Sequence, residues 1–381
     1  MSDAARLPAA PAERSWEQRL ARAWSAGALP AVLLPMIAVA LGPQGLAVIG
    51  SGVVSLLDPA VPVALATVGA LAALQFSTLG VNRTRITIAA ALESALTAAA
   101  VAAGLYSMGP MIGLSGTTLL VIAAAAGLCA AASSSLASAE PARSARAESV
   151  VRDADFLLPA LGGALLVAWL QEPTPMAAAL LFGKSVAASV LVALAGVLLA
   201  SSTESRGEQR VLGMAVVLLL GGIADTLGLS ALISGLAAGV VWRASGSAVR
   251  EAVTPVLSYV QHPLLVILLL VAGMRVQITP ALLAVTATYV LLRLAAKLVG
   301  SAVAAGITRR PVTALATNLI SPGVMGIALA LTFARDDASL ASTIVTVIVL
   351  GTAASQLLHA VISPGGSPGG TKIPQLREGM R

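Results

Sequence analysis

Charged residues are scarce in this 381-residue sequence, because Asp, Glu, Lys and Arg together make up only 10% of it. A soluble globular domain carries about 25%. Aromatic residues are also few, at 3%, and the basic residues lie scattered between apolar runs, so the net charge of +6 does not indicate a nucleic-acid partner. Hydrophobic residues reach 57% and the mean hydropathy is +0.93. This composition predicts a polytopic membrane protein whose main partner is the lipid bilayer.

The sequence also lacks the motifs of several functional classes. The single cysteine, Cys129, excludes an intramolecular disulfide and a multi-cysteine metal site. No Walker loop or dinucleotide fingerprint occurs, and the first 25 residues do not form a signal peptide. We therefore expect no cofactor, no enzyme activity and no ATP-driven transport. An ion gradient remains as the energy source.

Apolar runs long enough to cross about 30 Å of hydrocarbon need roughly 20 residues. They divide the chain into a cytoplasmic N-terminal segment (1–23), a transmembrane domain (24–361) and a flexible cytoplasmic tail (362–381) rich in Ser, Pro and Gly. The predicted fold class is an all-α polytopic membrane protein with about twelve transmembrane helices. The twelve predicted spans are 24–42, 61–80, 86–107, 115–139, 147–170, 177–201, 210–227, 228–242, 255–274, 280–304, 311–334 and 339–361.

The distribution of Lys and Arg between these spans predicts their orientation. Of the 23 basic residues, 18 fall on one side, three (Lys184, Arg275 and Arg335) fall on the other, and Arg293 and Lys297 lie inside the tenth span. The positive-inside rule then places both termini in the cytoplasm, and we expect a multi-pass protein of the cell (inner) membrane.

Two carboxylates, Asp153 and Asp155, lie in the entering half of the fifth predicted span, and Pro159 lies near its middle. A carboxylate in hydrocarbon is retained mainly where it carries ions or protons. Pro159 has no N–H and cannot bond the carbonyl of Asp155, four residues back. Asp155 therefore offers a carboxylate and a freed backbone oxygen at one depth, which suits a proton or a hard cation. We predict a transporter built around Asp155.

Asp153 and Asp155 cannot both face one cavity, because residues two apart on a helix point about 200° away from each other. Asp155 lies deeper, one turn before Pro159, and is the preferred ion site. Asp153 lies beside Arg152 and is interpreted as an interfacial ion pair or a helix-start charge, although the choice between the two stays open. Glu93, in the third span, fits either a proton path or a hydrogen-bonded structural role.

The eleventh span contains a Pro-Gly pair within Ser321-Pro322-Gly323, and Asn318 precedes it. Such a pair frees backbone groups that must face protein or a water-filled cavity. We expect a broken helix here, with half-helix ends that present partial charges to ions.

Several stretches, in order over about residues 28–361, resemble the monovalent cation:proton antiporter superfamily, which includes bacterial sodium/proton antiporters and sodium/hydrogen exchangers. Each stretch is short, and the ordered set carries the resemblance. The matching stretches are Leu41-Gly42-Pro43-Gln44-Gly45-Leu46, Gly69 to Gly80, Leu227-Gly228-Leu229-Ser230-Ala231-Leu232 with Gly235 to Gly239, Ala272-Gly273-Met274, Lys297-Leu298-Val299-Gly300, and Asn318 to Leu331.

The resemblance implies two inverted repeats, two broken helices that cross near the midplane, and a homodimer. The fourth span has Ser133-Ser134-Ser135 where the family has Thr-Asp-Pro or Thr-Ser-Pro, so Ser133 and Ser134 mark either the second break or simple small-residue packing. The family places a Lys or Arg in the tenth span beside the ion-binding carboxylate. Lys297 fits this position better than Arg293, because a buried lysine can trade its proton against a bound cation and an arginine cannot. Arg293 is interpreted as a structural brace.

The implied activity is the exchange of a monovalent cation, Na⁺ or K⁺, for H⁺ by alternating access, with Asp155 as the transient metal and proton site. Asp153 and Lys297 complete the predicted ion and proton site. The sequence departs from the family in lacking the Asp-Asp or Asn-Asp pair, since Ala154 separates the two carboxylates. An organic-anion carrier of the same fold, or a member without coupling, therefore remains an alternative.

A remote alternative is an intramembrane serine protease, because Gly113-Leu114-Ser115-Gly116 matches the nucleophile motif of rhomboid proteases. A serine nucleophile needs a base within hydrogen-bond reach. The predicted topology places Ser115 near the outer face and His262 and His359 near the inner face, which disfavours this reading.

Overall fold

The computed structural model describes residues 28–75, 83–112, 115–133, 154–172, 174–203, 205–320, 323–334 and 338–362, and this part of the chain is helical without a strand. A short 3₁₀ turn, Gly109–Ile112, follows the fourth helix. The α-helices are Ala28–Leu41 (α1), Ser51–Leu57 (α2), Ala60–Gln75 (α3), Arg83–Met108 (α4), Gly116–Ala131 (α5), Leu157–Gln171 (α6), Pro175–Ser201 (α7), Arg206–Thr226 (α8), Ala231–Ala244 (α9), Ser247–Met274 (α10), Pro280–Thr308 (α11), Val312–Ile320 (α12), Val324–Phe333 (α13) and Ala338–Ile362 (α14).

Each of the twelve predicted spans contains an apolar helix of the structure, which confirms the all-α membrane architecture. Among the described residues, six helices are long and apolar enough to cross a membrane: Thr84–Met108, Pro175–Ser201, Gly207–Thr226, Val253–Met274, Pro280–Thr308 and Leu340–His359. Six shorter apolar helices fill the other predicted spans: Val32–Leu41, Ala60–Leu74, Gly116–Ala131, Leu157–Gln171, Ala231–Ala244 and Val324–Phe333. The number of twelve crossings itself stays a prediction.

The helices pack into two groups. The first, which we call the site bundle, comprises α4, α5, α6 and α11 to α14. The second, which we call the scaffold bundle, comprises α1, α3 and α7 to α10, and its closest pair is α3 against α9. Small residues permit this approach: a Cβ at Gly235 would lie 1.8 Å from the Ala66 carbonyl oxygen, and one at Gly69 would lie 2.1 Å from that of Leu232.

Helix contacts follow a reciprocal pattern between the first five predicted spans and the last five. The second span packs on the eighth (α3 on α9), and the ninth packs on the first (α10 on α1). The fourth likewise packs on the twelfth (α5 on α14), and the eleventh packs on the fifth (α13 on α6). Spans 1, 2, 4 and 5 therefore correspond to spans 8, 9, 11 and 12, which is the pattern of two structural repeats. Because corresponding spans are seven apart and seven is odd, they run in opposite directions, and the second repeat is inverted relative to the first.

In the fourth and eleventh predicted spans, a helix of the site bundle ends inside the span. In the fourth span, α5 ends at Ala131, and Ala132 has an extended backbone with φ −71° and ψ 116°. In the eleventh span, α12 ends at Ile320 and α13 begins at Val324, capped by the extended Gly323. Ser134, Ser321 and Pro322 lie outside the described residues. The described residues therefore show an interruption in the eleventh span, where the sequence predicted a break, and a helix end inside the fourth span, where the sequence left a break and simple small-residue packing both open.

The fifth span differs from its prediction because a turn interrupts its helical residues. Ala154 is helical, Asp155 and Phe156 form a turn, and α6 begins at Leu157, so Pro159 occupies the first turn of α6 and not the middle of a helix. A proline is tolerated in a first helical turn because the N–H groups there have no intrahelical partner. Asp155 therefore lies immediately before a helix and not within one.

Candidate functional site

Three ionisable side chains meet in the middle of the site bundle. The Lys297 ammonium lies 2.9 Å from Glu93 Oε1 and 3.4 Å from Asp155 Oδ2. All three side chains have 0% exposure. Charged groups are almost never fully buried unless they are paired, and this lysine is paired twice. We call Glu93, Asp155 and Lys297 the charge cluster.

Asp155 is held from both sides by neighbouring elements. Its carboxylate accepts from the backbone N–H of Ser133, at 3.1 Å to Oδ2 and 3.3 Å to Oδ1. Its backbone carbonyl accepts from the Ser94 hydroxyl at 2.7 Å. This is the carbonyl that Pro159 leaves without a helical donor. The freed oxygen predicted from the sequence therefore has a partner, which fixes the backbone that carries the carboxylate.

Two facing helices, α4 and α11, place the other members of the charge cluster. Glu93, Ser94 and Thr97 share the buried face of α4, because positions three and four apart on a helix are neighbours. The Thr97 hydroxyl donates to Glu93 Oε1 at 3.0 Å. On α11, Gly300 leaves room for the glutamate, since a Cβ there would lie 2.9 Å from Glu93 Cγ.

Arg293, one turn before Lys297 on α11, binds the ends of both interrupted helices. Its Nε donates to the carbonyl of Ala130 at 3.2 Å, and its Nη1 donates to that of Ile320 at 2.9 Å. Lys297 donates to the next carbonyl of α5, that of Ala131. The last carbonyls of a helix lack internal partners and carry partial negative charge, so cations stabilise them. The bracing role predicted for Arg293 agrees with these contacts.

Ser133 completes the crossing of the two interruptions. Its hydroxyl donates to the carbonyl of Leu319 at 2.9 Å, while its N–H binds Asp155. The end of α5, the end of α12 and the start of α6 thus meet at one point. Gly323 is buried beside this point and caps α13.

The predicted site residues divide into three groups. Asp155, Lys297 and Ser133 come together as described, and Gly323 caps the half-helix next to them. Asn318 lies on α12, with only its backbone described, and Asp153, Ser134, Ser321 and Pro322 lie outside the described residues. Glu93, whose role the sequence left open, is part of the charge cluster. The sequence signal for it was an acidic residue in an apolar span, on one helical face with Ser94 and Thr97.

The donor set of the charge cluster suits a proton or a small hard cation more than a resident metal. It offers two carboxylates and several backbone carbonyls, all oxygen ligands, together with one ammonium. No group of three or more His, Cys, Asp or Glu side chains that could hold a metal ion occurs in the part of the chain that the structure describes.

Comparison with known proteins gives a match at the level of the fold. No protein-family model matches the chain, and no curated protein matches it in sequence. Among solved structures, the chain is similar to the sodium proton antiporter MjNhaP1 from Methanocaldococcus jannaschii, with a TM-score of 0.64 and 15% identity over 91% of this chain and 96% of that chain. The chain therefore has a cation:proton antiporter-like fold, in agreement with the resemblance found in its sequence.

Proposed function

We propose that this membrane protein exchanges a monovalent cation for H⁺ by alternating access, with Asp155 as the residue that binds either one. The observation that carries the proposal is the position of Asp155. Its carboxylate is fully buried, lies where the two interrupted helices meet, and shares the ammonium of Lys297. An intramembrane carboxylate in this setting is a functional site by default.

The chemistry of the charge cluster favours a cation over an anion. Two carboxylates face one ammonium, so the cluster attracts positive charge when both carboxylates are ionised. A proton on Asp155 removes the negative charge that a cation needs, and a bound cation disfavours the proton. This competition couples the two fluxes without further machinery. Na⁺ is our first choice of cargo and K⁺ the second.

Alternating access requires the site bundle to move relative to the scaffold bundle. One contact between them is a hydrogen bond, in which Arg275 at the end of α10 donates to the carbonyl of Ala334, at the end of α13, at 3.2 Å. The same arginine binds Asp58, next to α3 of the scaffold bundle, at 2.7 Å. Arg275 thus joins the scaffold bundle to the half-helix that follows the crossing. We propose that this contact forms in one access state and opens in the other.

The test is transport in proteoliposomes with an imposed pH gradient. Asp155→Asn keeps the volume of the side chain but cannot carry a proton or balance a cation, so cation-dependent proton flux is expected to be lost. Glu172→Gln is the matched control, because Glu172 is an exposed residue at the other end of the same helix, and its flux is expected to match that of the unmodified protein. Undiminished flux through a folded Asp155→Asn variant would remove Asp155 from the mechanism.

The cargo is identified in the same assay by adding Na⁺, K⁺ or Li⁺ in turn. Proton flux that responds to one or more of these cations supports antiport. Flux that responds only to an organic anion would favour the alternative carrier of the same fold.

We place both termini in the cytoplasm and the protein in the cell membrane, on the basis of the uneven distribution of Lys and Arg.

A further inference from the structure

Glu93 is the member of the charge cluster to which the proposed exchange gives no role. It lies closer to the Lys297 ammonium than Asp155 does, at 2.9 Å against 3.4 Å. Its Oε1 also accepts from Thr97, while its Oε2 is buried and has no hydrogen-bond partner among the described residues. Gly300 opposite it leaves the space that its side chain fills. The site is therefore built to hold a second carboxylate on α4.

The charges of the cluster can be counted because each member is fully buried. With Glu93 and Asp155 ionised and Lys297 protonated, the three side chains sum to one negative charge. Leaving a net charge in such a site is strongly unfavourable. One proton on Asp155 makes the cluster neutral, and one monovalent cation beside Asp155 does the same. Both loaded states therefore carry the same charge.

Arg293 also interacts electrostatically with Glu93 and Asp155, but an arginine keeps its charge in every state of the exchange, so it does not change the difference in charge between the two loaded states. It binds the final carbonyls of α5 and α12, whose helix ends each carry about half a negative charge. Tyr289 and His359 also interact electrostatically with Arg293. With ordinary side-chain values both are largely neutral at pH 7.5, so an assay at that pH keeps these two groups in one charge state.

We infer that Glu93 is the standing counter-ion of Lys297, so that Lys297 keeps its proton throughout and Asp155 exchanges one H⁺ for one monovalent cation without net charge movement. This rests on the proposed antiport. It replaces the expectation from the sequence that Lys297 trades its own proton against the cation. The second carboxylate that the fifth span lacks is supplied by the third span, where it holds the lysine and leaves Asp155 free to exchange.

Removing the charge of Glu93 changes the net charge of the cluster. In Glu93→Gln, the pair of Lys297 and Asp155 is neutral with no ion bound, so the cluster attracts a cation less strongly. The apparent KM for the cation is expected to rise by roughly tenfold or more. The empty site can also return across the membrane without a proton, so the residual cation flux is expected to carry net charge.

Two further variants separate charge from structure. Glu93→Asp keeps the charge, and electroneutral exchange is expected to persist. The double variant Glu93→Gln with Lys297→Met removes one charge of each sign and restores a single negative charge on Asp155. It is expected to recover a lower cation KM and electroneutral exchange relative to Glu93→Gln alone.

The decisive measurement is the flux-reversal point in proteoliposomes at pH 7.5 and above. A cation gradient is opposed by an equal proton gradient, and a membrane potential is imposed with the permeant anion thiocyanate. For the unmodified protein, net flux is expected to be zero with and without the potential.

Flux driven by the potential would overturn the inference but keep the antiport. A complete lack of cation-coupled proton flux under any gradient would overturn the antiport itself. An unchanged KM and an unchanged reversal point in Glu93→Gln would reduce Glu93 to a packing role.

Discussion

Ser133 and Leu319, 186 positions apart in the chain, are joined by a hydrogen bond of 2.9 Å from the serine hydroxyl to the leucine carbonyl. This bond ties the interruption of the fourth span to that of the eleventh. The N–H of the same serine binds Asp155. Ser133 therefore fixes the position of the Asp155 carboxylate relative to both helix ends. This is the carboxylate that we propose exchanges ions.

Competition for one carboxylate predicts how transport depends on pH. Protonated Asp155 cannot balance a cation, so the apparent KM for the cation is expected to rise as the pH falls, approaching about tenfold per pH unit in the acid range. The maximal rate is expected to stay constant, because a saturating cation concentration displaces the competing proton. Initial rates at several cation concentrations and pH values measure both quantities. A KM that does not vary with pH would exclude a shared site.

Ser94 is expected to be necessary for the turn that carries Asp155. Ser94→Ala removes the hydroxyl that binds the Asp155 carbonyl, and Pro159 supplies no N–H in its place. A buried carbonyl without a partner costs about 1–3 kcal/mol, so the melting temperature in detergent is expected to fall.

A matched control for Ser94→Ala is Ser189→Ala in α7. Ser189 is also buried, but its hydroxyl binds the carbonyl of Ser185 one turn back in the same helix. That carbonyl keeps its helical N–H donor, and such back-bonding slightly weakens a helix. The melting temperature of Ser189→Ala is expected to stay near that of the unmodified protein. Equal losses in both variants would contradict the role given to Ser94.

Gly300 is expected to be intolerant of a side chain. In Gly300→Ala, the new Cβ would lie 2.9 Å from Glu93 Cγ and 3.3 Å from Glu93 Oε1, so the glutamate must shift away from Lys297. Overpacking of this kind costs about 1–3 kcal/mol. We expect a raised cation KM and a lower melting temperature. Gly306→Ala on the same helix is the control, because no atom lies within 4 Å of its added Cβ. A normal KM in Gly300→Ala would show that the position of Glu93 is not critical.

Replacing Arg293 by lysine is expected to lower the stability of the protein. The guanidinium reaches the carbonyls of Ala130 and Ile320 with two different nitrogens, whereas a single ammonium has a compact geometry that cannot span both. Losing one buried hydrogen bond to a charged group costs about 1.5–3 kcal/mol. Thermal unfolding of Arg293→Lys measures this loss. Arg210→Lys, at an exposed position of α8, is expected to leave the melting temperature unchanged.

The ion pair of Asp58 and Arg275 is expected to affect transport more than stability. The two side chains are 41% and 26% exposed, and a pair of this kind contributes at most about 1 kcal/mol. Asp58 also holds the arginine that contacts Ala334 of the site bundle. The same energy, applied through that contact to the balance between two access states, changes their ratio by roughly fivefold. Asp58→Asn is therefore expected to change KM or maximal rate severalfold with little change in melting temperature. Glu208→Gln, an exposed acidic residue in the first turn of α8, serves as control. Kinetics identical to the unmodified protein would show that the pair is not part of a gate.

Much of the fold could be predicted from the sequence, because hydrocarbon demands long apolar helices and the chain has little else. The twelve apolar segments each contain a helix, and the Pro-Gly pair marked one interruption. The turn at Asp155 and Phe156 was missed, since hydropathy shows no boundary there, and α6 begins only after it, at Leu157. The partner of the carbonyl freed by Pro159 was also hidden, because Ser94 is 61 positions away in the chain.

The sequence by itself determined that the protein lies in a membrane and that its fifth span carries a carboxylate, and the family resemblance predicted a lysine of the tenth span beside that carboxylate. Only the tertiary structure decided that Glu93 shares this lysine. Hydropathy and helical spacing are local properties, which fix what each helix must bury. Which buried charges meet is decided by the packing of helices far apart in the chain, and here α4 lies against α11 with Gly300 leaving the space for a second carboxylate.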